Sequence, residues 1–213
     1  MSAPPVTVLT ATPEEEAAIR QAVRTADPAL ITPNARVATA RDIPGLVDLL
    51  SDELVSGPIY DIPRPIDPAR IGAWVARSLR LREAGEALLT VTPDDRGQIA
   101  AYSRITVWPD RSSAELAGAQ RADRQNSGQG AAGAARSFGF MFEVLGVRLV
   151  GLTAAPDNIR SAKVIEAAGF TPMGERLSRL PDGGSRRSLY WEMTREDWLT
   201  QRRLFQDGGN DKT

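Results

Sequence analysis

The sequence predicts a mixed α/β (α+β) fold, a mostly antiparallel central sheet flanked by helices. Three observations carry this. Strand-like segments between residues 87 and 119 follow one another across tight turns. A single β-α-β crossover comes next, spanning residues 114–154. Helices with recognisable caps precede and separate the strands, and a sheet with such helices packs as layers.

Val6 to Leu9 reads as a short strand. Thr12, Pro13 and Glu15 fit N-cap, N1 and N3 of a helix running to Thr25, and Asp27-Pro28 ends it. Residues 1–34 form an N-terminal extension, either packed on the domain or a mobile arm. Arg36 to Thr39 is the next strand. Thr39 and Asp42 open a helix to Leu50 that carries Ile43, Leu46, Val47 and Leu50 on one face. Residues 51–67 are rich in Pro, Ser and Gly and read as a loop. Asp67-Pro68 starts a helix with Ile71, Trp74, Val75 and Leu79 at helical spacing. Strands at 87–91, 99–108 and 114–119 are separated by the turns at 93–97 and 109–112. Then come a helix at 128–145, a strand at 147–154 and a helix at 158–168. A final hairpin, 171–180 with 187–193, turns at Pro181-Asp182-Gly183-Gly184. A helix at 194–205 and a polar, disordered tail at 206–213 close the chain, so the main domain is 35–205.

Composition excludes several chemistries. The 213 residues contain no cysteine and no histidine. A disulfide framework, a zinc site of Cys or His, a Cys nucleophile and a Ser-His-Asp triad are therefore impossible within the chain. No metal site is expected. A general base must be Asp, Glu, Lys, Tyr, a terminus or a water held by one of them. A net charge of −1 argues against nucleic acid as the main partner. The N-terminus lacks a secretory signal and no apolar run is long enough for a membrane span, so a cytoplasmic location is expected.

The segment with chemistry in it is Gln125-Asn126-Ser127-Gly128-Gln129-Gly130, between a strand and a helix. Two glycines allow close backbone approach, and the free N–H groups of a helix start suit a phosphate. Gly128, Gly130 and Gly133 also spell a dinucleotide fingerprint. That reading fails because seven polar or small residues intervene after the strand. The next strand also ends without an acid, and about eighty residues are too few for a dinucleotide domain.

The second half carries a more specific pattern. Gln125-x-x-Gly128-x-Gly130 is followed by a strand, by Asn158-x-x-Ser161, and by Ala168-Gly169-Phe170. Gly174-Glu175-Arg176-Leu177 and Leu189-Tyr190-Trp191-Glu192-Met193 through Trp198 complete it. This order resembles the GNAT superfamily of N-acetyltransferases over residues 35–198, and its ending resembles the ribosomal-protein-modifying (RimJ/RimL-like) branch. The resemblance implies a GNAT-like sheet, acetyl-CoA as co-substrate and an amine acceptor, from a small molecule or a protein N-terminus. It implies direct attack of the amine on the thioester in a ternary complex. Homodimers are common among such relatives.

By the same resemblance, the amides of Gln125, Asn126, Ser127, Gly128, Gln129 and Gly130 bind the CoA pyrophosphate. Leu116, Ala117, Gly118 and the strand to Gln120, splayed from its neighbour, supply the oxyanion N–H. Asn158 contacts the pantetheine arm or simply caps its helix. Ser161 protonates the leaving thiolate or is a small packing residue. Glu115, on the strand feeding the loop, is the candidate general base, against an exposed strand glutamate. Tyr102, Tyr190 and Asp61 are weaker choices of base. Tyr60, Asp61 and Tyr190 are the candidate acceptor-binding residues, in a pocket between the 51–67 loop and the 179–186 hairpin tip. Trp74 and Trp108 are core or pocket wall, and Asp52 and Glu53 are solvated or acceptor-facing. The helix tyrosine that many relatives use as general acid is Ile165 here. That departure sustains an alternative, a catalytically degenerate GNAT domain that binds acyl-CoA or a protein partner.

Overall fold

The chain folds around a seven-stranded sheet. The computed structural model describes residues 3–125 and 129–207. The strands are β1 (Arg36–Val37), β2 (Ala87–Pro93), β3 (Ile99–Trp108), β4 (Ser113–Gln120), β5 (Leu149–Ala154), β6 (Thr171–Arg179) and β7 (Ser185–Thr194). Their order is β1-β2-β3-β4-β5-β7-β6. All neighbours are antiparallel except β4 and β5, a parallel pair.

The helices are α1 (Pro13–Thr25), α2 (Ile43–Ser51), α3 (Glu53–Ser56), α4 (Pro68–Ala84), α5 (Gln129–Gly139), α6 (Ile159–Ala167) and α7 (Arg195–Asp207). Capping sets several starts. Thr12 accepts from the Glu15 N–H, Asp67 from Arg70 and Asn158 from Ser161. Asp42 closes a capping box with Thr39 and is gripped by both Arg36 Nη atoms at 2.6 and 2.7 Å. The Arg36 guanidinium, with the Thr39 donors, holds the Asp42 carboxyl below the usual carboxylate range against the opposing effect of burial.

The sheet separates two cores. Leu88, Ile105, Ala114, Val150 and Leu152 pack with Ile19 and Val23 of α1 and with Phe138, Phe142, Ile165 and Phe170. Leu89, Val91 and Tyr102 pack on the other face with Leu46, Leu50, Ile71, Trp74 and Val75 of α2 and α4. Trp74 is therefore a core residue, its ring edge-on to Tyr102.

Several elements differ from the sequence reading. Residues 6–9 are not a strand. Their course is fixed by side chains rather than a ladder: the Val6 N–H donates to Tyr190 Oη and the Thr7 N–H to Glu192 Oε1. The β1 strand stops at Val37 because Thr39 turns its N–H to Asp42. The 51–67 loop contains α3, whose start Asp52 caps through the Leu54 N–H. The helix expected to reach residue 145 gives way at Phe140–Val144 to a wider π turn, where Phe140, Met141 and Phe142 are buried in a row. The last helix runs to Asp207, so Gln206 and Asp207 are helical; residues 208–213 lie outside the described residues. Among the described residues, no helix is long and apolar enough to cross a membrane.

Candidate functional site

The site begins where one strand pair stops. β4 pairs with β3 along its whole length, from Ser113 to Gln120. It pairs with β5 only from Ser113 to Glu115. Beyond that the two strands part, Leu116–Gln120 on one side and Leu152–Ala154 on the other. The pleat decides which backbone groups face the gap. The Arg121 N–H donates to the Ala100 carbonyl of β3. Peptide groups alternate in direction along a strand, so those of Ala119 and Ala117 also face β3. Those of Gly118 and Gln120 face the opening toward β5. The Gln120 carbonyl is taken by Gln125 Nε2 at 2.9 Å.

The opening widens into a cleft of about 440 Å3. Apolar side chains such as Leu152, Val164 and Ile165 line part of it, and polar groups gather at its two ends. α5, which begins at Gln129, borders the cleft through Gly133 and Ala134, and its N-terminus carries the positive end of a helix dipole. Arg124, Arg136 and Arg160 line the cleft on this side. Arg160 Nη1 donates to Gln125 Oε1 at 2.5 Å, linking the segment that follows β4 to the first turn of α6.

The other end is acidic and aromatic. Glu115, 6% exposed, sits at the vertex where the pairing with β5 ends. Its Oε1 accepts from Tyr60 Oη at 3.1 Å and from Thr153 Oγ1 at 3.2 Å. Asp61 is buried and paired with Arg104 at 3.2 Å. Arg186 lies over the Tyr60 ring, 4.8 Å from its centroid, and donates to the Pro58 carbonyl at 2.9 Å. Burial lowers its pKa, opposed by Tyr60 and Asp61. This residue ties β7 to the 57–60 segment and closes the acidic end. Burial, with the Asp61 charge, pushes the Tyr102 phenol well above its ordinary value, so it stays protonated and is no base near neutrality.

The cleft thus gathers Tyr60, Asp61, Glu115, Leu116, Ala117, Gly118, Gln125, Asn158 and Ser161. Asn158 caps α6 through the Ser161 N–H. Ile165 is buried against the first core, one turn beyond Ser161. Gln129 and Gly130 stand in the first turn of α5. Asn126, Ser127 and Gly128 lie outside the described residues. Tyr190 is not brought in. It is buried on β7 directly across from Thr153, donates to Glu192 at 2.5 Å and is covered by residues 4–7. The nearness of Tyr190 to the pocket in sequence is undone because the N-terminal segment lies over it. Trp108 ends β3 outside the cleft lining.

Sequence reasoning did not single out Thr153, Arg104, Arg160 or Arg186. Thr153 reaches Glu115 only through strand register, and the arginines carry no local signal among the chain's many others. Among the described residues no cluster of acids could hold a metal ion.

A family model described as an acetyltransferase (GNAT) domain matches residues 35–171. No curated protein sequence matches the chain. Solved structures share its fold at low identity. Ribosomal-protein-S5-alanine acetyltransferase from Vibrio fischeri is 16% identical with a TM-score of 0.65, covering 77% of this chain and 93% of its own. RimJ from Mycobacterium smegmatis, in complex with CoA-disulfide, is 20% identical with a TM-score of 0.65, covering 82% and 88%. A spermidine N-acetyltransferase SpeG chimera from Vibrio cholerae and hSSAT is 14% identical with a TM-score of 0.63, covering 78% and 96%.

Proposed function

The chain belongs to the GNAT acetyltransferase family, and from that premise we propose that it transfers an acetyl group from acetyl-CoA to a primary amine. The acceptor is a small molecule or a protein N-terminus, and the RimJ/RimL-like branch is the best placement. The observation that carries the reading is the parting of β4 from β5 directly after Glu115. It places a candidate base beside a gap lined by outward-facing peptide groups.

The residues present fit acetyl-CoA. The start of α5 and the guanidinium groups of Arg124 and Arg160 suit its phosphates. The edge of β4 at Gly118 and Gln120 suits the amide-bearing pantetheine arm. Bound there, acetyl-CoA supplies the activated acetyl thioester. Glu115 accepts the proton of the acceptor amine, directly or through one water, with Tyr60 and Thr153 holding its carboxylate. The Gly118 and Gln120 N–H groups face the opening, where they can stabilise a developing oxyanion. Ser161, in the first turn of α6, lines the cleft on the side where a departing thiolate needs a proton. Holding both substrates in one cleft supplies much of the remaining gain.

The test is direct: purified chain, acetyl-CoA and a panel of primary amines, with release of free thiol as the readout. A chain inert toward the whole panel sinks the proposal. Glu115→Gln is expected to lower kcat by roughly 10²–10⁴, with little change in KM for acetyl-CoA. Unaltered turnover in that variant removes Glu115 from its role.

A further inference from the structure

One cation at the acceptor end of the cleft has no counter-charge. Arg186 stands at the start of β7, across from Ser178 of β6. Side chains alternate along a strand. Arg187 therefore points to the opposite face, where it pairs with Glu175 at 2.5 Å. Arg186 turns to the cleft instead, half-buried, and lines it together with Pro58, Tyr60 and Glu115. Its Nη1 donates to the Pro58 carbonyl, and its Cζ lies 4.8 Å from the Tyr60 ring centroid. A carbonyl and an aromatic ring hold the guanidinium in place without neutralising it. Among the described residues Arg186 makes no ion pair, and its Nε is buried without a partner. Burial lowers its pKa, and Tyr60, Asp61 and Asp157 oppose that only in part.

The charges around Arg186 restrict what can meet it. Asp61 is paired with Arg104 at 3.2 Å, so that pair is close to neutral. Arg124, Arg136 and Arg160 line the cleft on the α5 side. At the acceptor end Glu115 supplies a negative charge and Arg186 a positive one. Tyr60 touches both: its hydroxyl donates to Glu115 Oε1 at 3.1 Å, and Arg186 lies over its ring. A simple amine meets only Glu115. A diamine brings a second cation toward the guanidinium and is repelled. A molecule that also carries an anion meets both charges. A partly desolvated guanidinium gains more from that anion than one in open water. One carboxylate matches one guanidinium. A phosphate monoester would bring nearly two negative charges close to Glu115, with one cation to meet them.

Resting on the acetyl-transfer reading, we propose that Arg186 determines acceptor specificity by binding a carboxylate on the same molecule as the reacting amine, so that the acceptors are aminocarboxylates, an amino acid or a related zwitterion. Glu115 takes the amine end and Arg186 the carboxylate end, with Nη2 as the donor that its other contacts leave over. Tyr60 and the Pro58 carbonyl fix the guanidinium before the acceptor arrives, which limits the side-chain entropy lost on binding. Selection against polyamines and simple alkylamines follows from the unmet or repelled cation.

Glycine, 3-aminopropanoate, 4-aminobutanoate and 5-aminopentanoate, each compared with its own carboxamide and with 1,4-diaminobutane, test this at saturating acetyl-CoA. The carboxamide keeps the shape of the carboxylate and loses its charge. At one or more chain lengths KM for the carboxylate is expected to lie about tenfold below that for the carboxamide. The length of greatest preference measures the span from Glu115 to Arg186. Arg186→Gln is expected to erase the preference, Arg186→Lys to restore part of it, and Arg186→Glu to turn it toward the diamine. The proposal is overturned if the wild-type chain treats carboxylate and carboxamide alike at every length, or prefers the diamine. It is equally overturned if Arg186→Gln shifts KM for both members of each pair by one common factor, as expected of a residue that only ties β7 to the 57–60 segment. If no acceptor turns over, acetyl transfer itself is at fault. Calorimetric binding of the same pairs, in the wild type and in Arg186→Gln, then decides the carboxylate site by itself, and equal affinities overturn it.

Discussion

Glu115 and Asp42 are both buried acids, and each is held by what surrounds it. Glu115 is legible in the sequence as an acid on the strand before the loop. Its surroundings are not: Tyr60 and Thr153 arrive from a loop and from β5, 55 and 38 residues away. Asp42 is the local case. Its partners Arg36 and Thr39 lie within six residues, so the capping box was readable in advance. Asp42→Ala is expected to cost about 2 kcal/mol at neutral pH, from the lost cap and charged hydrogen bonds. The folded-state pKa of Asp42 lies below its unfolded value. Its contribution is therefore present above pH ~4 and is lost as pH falls through the depressed value. Urea unfolding of both proteins should show a gap at pH 7 that narrows below pH 4. An equal gap at pH 7 and pH 3 contradicts the assignment.

At the scale of elements, the edge of β4 shapes the site, and the N-terminal segment covers the part of β7 beside it. Gly118 is on that edge, and a methyl added to it would stand 2.7 Å from the Tyr102 carbonyl. That contact is with backbone, so the strand must shift rather than a side chain give way. Gly118→Val is expected to weaken acetyl-CoA binding by tenfold or more, measured by calorimetry, while the far-ultraviolet dichroism stays that of the parent. Residues 4–7 form the second device. Arg176 donates to the Pro4 carbonyl, and buried Pro5 lies over Gly151, where a side chain would meet both Pro5 and the Tyr190 hydroxyl. Burial first, and Glu192 second, push the Tyr190 phenol above its ordinary range. Removing residues 3–9 should bring that phenol back toward pH 10 in an ultraviolet titration. A titration curve identical to the parent's is evidence that the segment does not cover Tyr190. The strand expected at 6–9 follows the same logic, since its sequence is strand-like but its partners are side chains, which no pattern of alternation records.

For the whole molecule, the cleft joins elements from every part of the domain, so a ligand that fills it should stabilise the fold as one unit. Acetyl-CoA at a hundred times its Kd adds about 2.7 kcal/mol. For a chain of this length that is a rise of roughly 5–11 °C in Tm. Free adenosine without the phosphates should give much less, because the α5 start and the flanking arginines act on phosphate. An absent shift at millimolar acetyl-CoA contradicts the assignment of the cleft. α1 belongs at this scale too. Ile19 and Val23 are almost fully buried in the first core, and Arg20 bonds Glu86 and the Ala84 carbonyl. The sequence alone left this segment open between a packed helix and an arm.

The sequence by itself determined the mixed sheet, the order of its elements, most helix starts and the set of chemistries excluded by having neither Cys nor His. These depend on interactions within a few residues, on periodicity or on composition, and all three can be read along a chain. Tertiary structure alone decided where β4 leaves β5, which side chains reach Glu115 and that Tyr190 is covered. Those facts depend on register between distant strands and on packing across the sheet. A residue's neighbours there are set by the fold as a whole, and its position in the sequence carries no record of them.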